Sequence, residues 1–368
     1  MIYADNAATT KLDIDAFEAM KPFLLEEYGN ASQPYSFASS AKRALKRARE
    51  TIANCIGAFP DEIYFTSGGT ESDNWAIKIA SDDGDIITSA IEHHAILNAC
   101  YGMEKKGKSV VYVPVSKEGV VEIEYLEKSI TEKTKLISIM YANNEIGTIQ
   151  PIKQIAEIAH KYNCLFHTDA VQAVGHVHIN VHDLEVDLLS ASAHKFNGPK
   201  GVGFLYVKRD TQISAYLNGG SQENGLRAGT ENVAAIVAMA VALEKNCESI
   251  EHNAKNLCDY EKMLLKQLRD ANLNFLCNGS KQKIPGNISL SFADIDGEMI
   301  LHRMDLQGIC ISTGAACDSV RTQLSHVIKA IGIPERFAEG TIRISLGKDN
   351  TKEDVDYIAK TLINIFKK

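Results

Sequence analysis

Lys195 and Asp169 are the residues whose types and settings point most directly to chemistry. Lys195 stands in Ser190-Ala191-Ser192-Ala193-His194-Lys195, after the mostly apolar run 186–189 and before a Gly/Pro turn. A lysine desolvated at a strand end loses pKa and becomes a nucleophile toward aldehydes; a lysine that snorkels out to solvent is the bland alternative. Asp169 follows the strand-like run 164–168 and precedes Ala170-Val171-Gln172. A lysine for a Schiff base together with a carboxylate for a pyridinium nitrogen is the pair that pyridoxal phosphate requires.

Further stretches bear on the same site. Thr66-Ser67-Gly68-Gly69-Thr70-Glu71 lies between a strand-like and a helix-like run. Its glycines allow backbone to approach an anion, the helix N-terminus favours negative charge, and Thr70 offers a hydroxyl, although a tight strand–helix turn needs the same glycines. It carries neither a Walker lysine nor a dinucleotide fingerprint. His93 and His94 follow the strand-like run 85–89. Open α/β sheets bind ligands at such ends, and either ring could stack on a flat cofactor or face solvent. Arg343, within Thr341-Ile342-Arg343-Ile344-Ser345-Leu346, keeps its charge and needs an anion. That anion is either a structural carboxylate or that of an amino-acid substrate held bidentately. Cys317 has small residues before it and polar ones after, with nothing adjacent to bury its thiol. It is an exposed nucleophile or an incidental surface cysteine, and the neighbouring Asp318 carboxylate disfavours its thiolate. His176, His178 and His182 share a parity but lack a completing ligand at metal-site spacing, and are predicted to form a solvated face.

These residues need rigid elements behind them. Strand-like runs at 62–66, 85–89, 110–114, 136–141 and 164–168 alternate with helix-like stretches at 71–80 and 152–162. In the latter, Ile152, Ile155, Ala156 and Ala159 keep helical spacing. Such alternation predicts an α/β fold with a largely parallel sheet covered on both faces. A long helix is predicted over 233–265. Beyond it come strands at 287–292, 308–312 and 341–346, a helix at 297–304, and a terminal amphipathic helix capped by Thr351. The reading is a large domain over 13–253 and a smaller α+β domain built from 1–12 and 254–368.

Composition narrows the function classes. A chain of 368 residues buries a large core, and its net charge of −8 speaks against nonspecific nucleic-acid binding. No apolar run reaches membrane length, and Met1-Ile2-Tyr3-Ala4-Asp5 lacks the basic head of a signal peptide, so the expected location is cytoplasmic, off the membrane. None of the 8 cysteines forms a Cys-x-x-Cys pair, which argues against a zinc site or a disulfide framework.

Together these stretches resemble the cysteine desulfurases, the NifS/IscS-like branch of the class V aminotransferase family, nearly end to end. The matching motifs occur in one order: Tyr3-x-Asp5-Asn6-Ala7-Ala8-Thr9-Thr10, Thr66-Ser67-Gly68-Gly69-Thr70-Glu71-Ser72-Asp73-Asn74, Glu92-His93, and Asn143-Asn144-Glu145-Ile146-Gly147. They continue with Asp169-Ala170-x-Gln172, Ser192-x-His194-Lys195, Arg227-x-Gly229-Thr230 and Arg343-x-Ser345-Leu346-Gly347. The resemblance implies a homodimer of fold type I with a mainly parallel seven-stranded sheet and pyridoxal phosphate as cofactor. It implies that Lys195 carries the cofactor, Asp169 meets its ring nitrogen, Gln172 its ring hydroxyl, and His93 stacks on the ring. Gly69, Thr70, Ser192 and His194 would hold the phosphate, with Thr230 reaching in from the partner subunit. Asn144 and Arg343 would take the substrate carboxylate. L-cysteine would yield L-alanine and a persulfide on Cys317, which passes to an acceptor protein such as an iron–sulfur scaffold. A selenocysteine lyase or another class V aminotransferase is the alternative on the same fold.

The chain also departs from the family. Ser312-Thr313-Gly314-Ala315-Ala316-Cys317 replaces the usual Ser-Ser-Gly-Ser-Ala-Cys, and 318–323 resembles the long-loop group. The sequence reaches Lys368 without the extension that housekeeping members use to dock their scaffold, which counts against the expectation of scaffold binding.

Overall fold

Seven short runs rich in Ile, Leu, Val and Phe pair into one sheet. They are β1 (Ile63–Thr66), β2 (Asp85–Ser89), β3 (Val110–Val113), β4 (Thr134–Ser138), β5 (Leu165–Asp169), β6 (Leu188–Ser192) and β7 (Gly203–Val207). The computed structural model describes residues 1–79, 84–313 and 324–367. The strand order is β1-β7-β6-β5-β4-β2-β3. Only β7 pairs antiparallel with its neighbours; the other pairings are parallel. Helices α1 (Gly69–Ile79) and α2 (His94–Glu104) follow β1 and β2, and α3 (Val233–Asp270) follows the sheet.

Successive residues of a strand point to opposite faces, and both faces are buried. Leu136, Leu165, Leu188 and Leu205 pack under α1 and α2 with Trp75, Ile77, Ile96 and Met103. Their neighbours Ile137, Phe166, Leu189 and Phe204 pack on the other face with Ile155, Ala159 and Leu243. This is why the strands read as nearly continuous apolar runs.

A second sheet is antiparallel: β8 (Phe275–Cys277), β9 (Asn287–Phe292), β10 (Ser312–Thr313) and β11 (Thr341–Ser345), in the order β10-β11-β9-β8. Its core joins Leu290, Phe292 and Ile344 to Leu257, Leu264 and Leu268 from the later turns of α3, and to Val355, Ile358 and Leu362 of the last helix. That helix, Lys352–Phe366, is capped by the Thr351 hydroxyl accepting from the Asp354 amide at 3.2 Å. The N-terminal Ile2–Tyr3 pairs in parallel with Ile309–Cys310.

Three departures from the sequence expectation exceed two residues or change a strand's partner. The run 308–312 is two strands, because the chain changes partner at the buried Ile311: Ile309–Cys310 pairs with the N-terminus and Ser312–Thr313 with β11. Helix α3 continues to Asp270, since Leu264 and Leu268 extend its apolar stripe. The run 136–141 leaves the sheet after Ser138. It still hydrogen-bonds β5, Ile139 N to His167 O at 3.0 Å and Tyr141 N to Asp169 O at 2.8 Å, which carries it to the strand ends.

Candidate active site

The carboxyl ends of β1, β2, β4, β5 and β6 converge on one cavity of about 620 Å³. Parallel pairing sets these ends side by side, with helix N-termini beyond them. Gly69, Thr70, His93, Asn144, Asp169, Gln172, Ser192, His194, Lys195 and Arg343 all line it, together with Ala7, Ala8 and Thr313.

β6 ends at Ser192, and a 3-10 turn over Ala193–Lys195 brings Lys195 to the sheet edge. Its ammonium donates to the carbonyls of Ala7 at 2.6 Å and Ala8 at 2.9 Å. Gln172 Nε2 donates to the same Ala7 carbonyl at 3.0 Å. The N-terminal segment therefore fastens two site residues that lie far from it in sequence. His176 corrects an expectation: its ring is half-buried and hydrogen-bonds the Lys195 carbonyl at 2.8 Å, while His178 and His182 are exposed. Gly175, with φ of +77°, makes the turn that places it there.

Asp169 is the last residue of β5, buried, with Oδ1 accepting from the Val171 amide at 2.9 Å. Burial pushes its carboxyl up to about 6, against the pull of that amide and of Lys195. A pyridinium, were one bound beside Asp169, would supply a further cation. His93 is the N-cap of α2, its Nδ1 accepting from the Ala95 amide at 3.1 Å. Burial, helped by Lys195 and His94, pushes its pKa down to about 4, so the ring is a neutral, flat surface.

The glycine turn before α1 has little room for side chains. A Cβ on Gly69 would stand 2.7 Å from Val171 Cγ2, and one on Gly203 2.7 Å from the Cα of Gly68, itself at φ of +145°. Backbone amides of the first turn of α1 are thus open to an anion, flanked by Thr70, Ser192 and His194. His194 Nδ1 bonds Thr9 Oγ1 at 3.0 Å, and burial followed by Lys195 and Lys200 pushes its pKa down to about 4. Glu71 accepts from the Ser67 amide at 2.8 Å and pairs with Arg227 at 2.8 Å, which braces the turn.

Arg343 lies at the middle of β11, buried. Nη2 pairs with Asp5 Oδ1 at 2.7 Å and Nη1 donates to the Asn144 carbonyl at 2.9 Å. Nε is a buried donor with no hydrogen-bond partner. The sequence left a structural and a substrate carboxylate both open; Asp5 is the first, and Arg343 also lines the cavity.

The donor set fits pyridoxal phosphate. It offers an amine, a buried carboxylate, a flat imidazole, an amide-lined turn where a Cβ would clash, and two buried polar atoms without partners, Asp73 Oδ1 and Arg343 Nε. Thr230 is not brought to the cavity within one chain; it is exposed and lines a smaller one with Ser67, Gly201 and Arg227. Cys317 and Asp318 lie outside the described residues. Sequence reasoning gave no role to Asp5, Asp73 or His176. Asp73 had one local signal, a charge four residues after Gly69 on the side of α1 that also carries core residues.

Comparison with known proteins agrees with this geometry. Residues 2–358 match the family described as Aminotransferase class-V. A Dictyoglomus turgidum protein named Cysteine desulfurase IscS is 47% identical, covering 100% of this chain and 95% of its own length. A solved structure described as a NifS-like protein is 40% identical with a TM-score of 0.93, covering 99% of this chain and 98% of its own. Another, described as SspA in complex with cysteine, is 35% identical with a TM-score of 0.84 and covers 94% of this chain and 99% of its own. With the motifs, the sheet and the cavity in agreement, the chain belongs to the class-V aminotransferases and, among them, to the cysteine desulfurases.

Proposed function

We propose that this protein converts L-cysteine to L-alanine and moves the sulfur, as a persulfide on Cys317, to an acceptor thiol. The observation that carries the reading is the meeting of Lys195, Asp169, the glycine turn and Arg343 in one cavity. Pyridoxal phosphate, when bound, supplies an electron sink for the bond broken at the substrate Cα.

The chain's residues do the rest. The substrate carboxylate binds Arg343 and Asn144. Lys195 Nζ takes the proton from Cα and later returns one to the product. Asp169 would hold the proton on the ring nitrogen, and neutral His93 would cover the ring. Cys317, as thiolate, attacks the substrate sulfur; the carbon–sulfur bond breaks and a sulfur–sulfur bond forms. L-cysteine and the Cys317 thiol become L-alanine and the Cys317 persulfide, with no outside oxidant. Thr313, which lines the cavity, supports this role: Cys317 is four residues further on, within roughly 14 Å of extended chain.

The working unit is a homodimer in which Thr230 completes the partner's phosphate site. Its exposure supports this, as do the exposed apolar side chains of Leu24, Leu25 and Tyr28. The large domain spans 13–253, and the smaller one, from 1–12 and 254–368, carries Cys317. No helix among the described residues is long and apolar enough to cross a membrane. The enzyme acts in the cytoplasm and passes its sulfur to an acceptor protein, an iron–sulfur scaffold being one candidate.

The test is release of alanine and sulfide from L-cysteine with dithiothreitol, beside Cys317→Ala and Lys195→Ala. Matched products that vanish in both variants, with cysteine binding kept in Cys317→Ala, are expected. Persulfide formed at the normal rate without Cys317 assigns another nucleophile. Turnover without Lys195 removes the reading.

A further inference from the structure

Two different segments cover one edge of β11 in turn, and Arg343 stands where they change over. β10 pairs with β11 at Ile342 and Arg343. Two residues on, Ser345 bridges instead to Asp5 of the N-terminal segment, in parallel. Ser345 N donates to Ala4 O at 2.8 Å and Asn6 N to Ser345 O at 3.0 Å. Residues opposite one another across a pairing share a face, as do residues two apart along a strand. The Asp5 side chain therefore stands on the face that carries Arg343. The two side chains, 19% and 5% exposed, make their ion pair largely out of water.

This pairing fixes the guanidinium, which is planar and carries five N–H donors. One on Nη2 goes to Asp5, one on Nη1 goes to the Asn144 carbonyl, and the buried Nε–H has no hydrogen-bond partner. With Asp5 and Asn144 on separate Nη atoms, a turn about the Nε–Cζ bond breaks both contacts. Each Nη keeps a second N–H, and that pair is the fork that a carboxylate takes two-pronged. The same N-terminal segment goes on to hold Lys195 through the carbonyls of Ala7 and Ala8. The brace on Arg343 and the brace on the lysine are thus two and three residues apart in one short segment.

We propose that Asp5 is a positioning residue: its carboxylate holds the Arg343 fork in the orientation that receives the substrate carboxylate, at a set spacing from Lys195. The proposal rests on Arg343 being the substrate's anchor. Two effects of Asp5 oppose each other. Its charge repels an incoming carboxylate, while its hydrogen bond orders a long side chain before the substrate arrives, so less freedom is lost on binding. Ordering is the larger effect. Asp5 keeps a solvent-facing part that screens its repulsion, whereas Arg343 without Asp5 can turn about its contact with Asn144.

The experiment measures equilibrium binding of L-alanine, the product, and of L-alaninamide, the same skeleton without the negative charge. Both are titrated into the pyridoxal phosphate-loaded protein and read from the bound cofactor's absorbance. The ratio of the two dissociation constants isolates what the carboxylate contributes, and a general loss of stability does not move it. Asp5→Ala is expected to shrink the preference for L-alanine roughly tenfold, the size of one charge-assisted hydrogen bond. Asp5→Asn, whose side-chain oxygen still accepts from Nη2, is expected to recover most of that loss. A preference unchanged in Asp5→Ala overturns the proposal. So does a preference that rises in both variants, which leaves Asp5 a repulsive role only, or one that Asp5→Asn fails to recover. Arg343→Ala is run beside them and should abolish the preference. If it does not, the anchor assignment itself fails; a preference lost in Arg343→Ala but kept in Asp5→Ala rejects the role of Asp5 alone.

Discussion

Replacing Glu92 with glutamine should flatten the pH dependence of stability. Glu92 is fully buried just beyond β2, one oxygen accepting from Ser89 Oγ at 2.6 Å and from the Met140 amide at 2.9 Å, the other without a partner. Burial pushes its carboxyl from the ordinary 4.5 up to about 8, against the pull of Ser89 and Met140. Below pH 4.5 both folded and unfolded chains hold the proton. As the pH rises past that value the unfolded chain releases it and the folded chain keeps it until about 8, so the group makes stability fall across this window. At roughly 1.4 kcal/mol per pH unit, the fall between pH 5 and pH 8 comes to about 3 to 4 kcal/mol. Glutamine keeps the oxygen that accepts both hydrogen bonds and has no proton to release. The burial of its extra N–H is a constant offset of about 1 to 3 kcal/mol at every pH. The assay is urea unfolding of the cofactor-free protein and its Glu92→Gln variant at several pH values from 5 to 8. The difference between the two should change by those few kcal/mol in favour of the variant as pH rises. A difference constant with pH would show that Glu92 titrates alike in both states and would refute the reasoning.

Two other changes probe the site. Arg343→Lys removes the planar fork and the buried Nε donor, and should raise the KM for L-cysteine roughly 10- to 100-fold, as loss of a charge-assisted bond does; steady-state kinetics with an unchanged KM would place the carboxylate elsewhere. Gly69→Ala sets a Cβ 2.7 Å from Val171 Cγ2 and should weaken cofactor retention, by roughly tenfold if the turn shifts at a cost of about 1.4 kcal/mol. Adding Val171→Ala should restore retention measured by equilibrium dialysis, and failure of that rescue would mean that the clash is not the cause.

The residues that stand at strand ends were legible in the sequence because their signals are local. Lys195 and Asp169 follow apolar runs, and Gly68 and Gly69 mark a turn whose geometry only glycine suits. The two-sided burial of the sheet was legible for the same reason: runs such as 110–113, Val-Val-Tyr-Val, have no polar alternation, so both faces had to be covered. Partners across the chain were not. Asp5 reaches Arg343 over 338 positions of sequence, and Lys195 meets the carbonyls of Ala7 and Ala8 over 188 and 187. No period of 2 or 3.6 encodes such pairs; they follow from the strand order and from the N-terminal segment joining the second sheet. Asp73 and His176 show the limit most clearly. By type each is a surface residue, and only the packing of α1 over the sheet and the turn at Gly175 give Asp73 a buried and His176 a half-buried position, where desolvation sets their charge. The sequence alone determined which chemistry the chain can hold; the tertiary structure decided which groups face one another, because charge state and geometry depend on neighbours brought together only by folding.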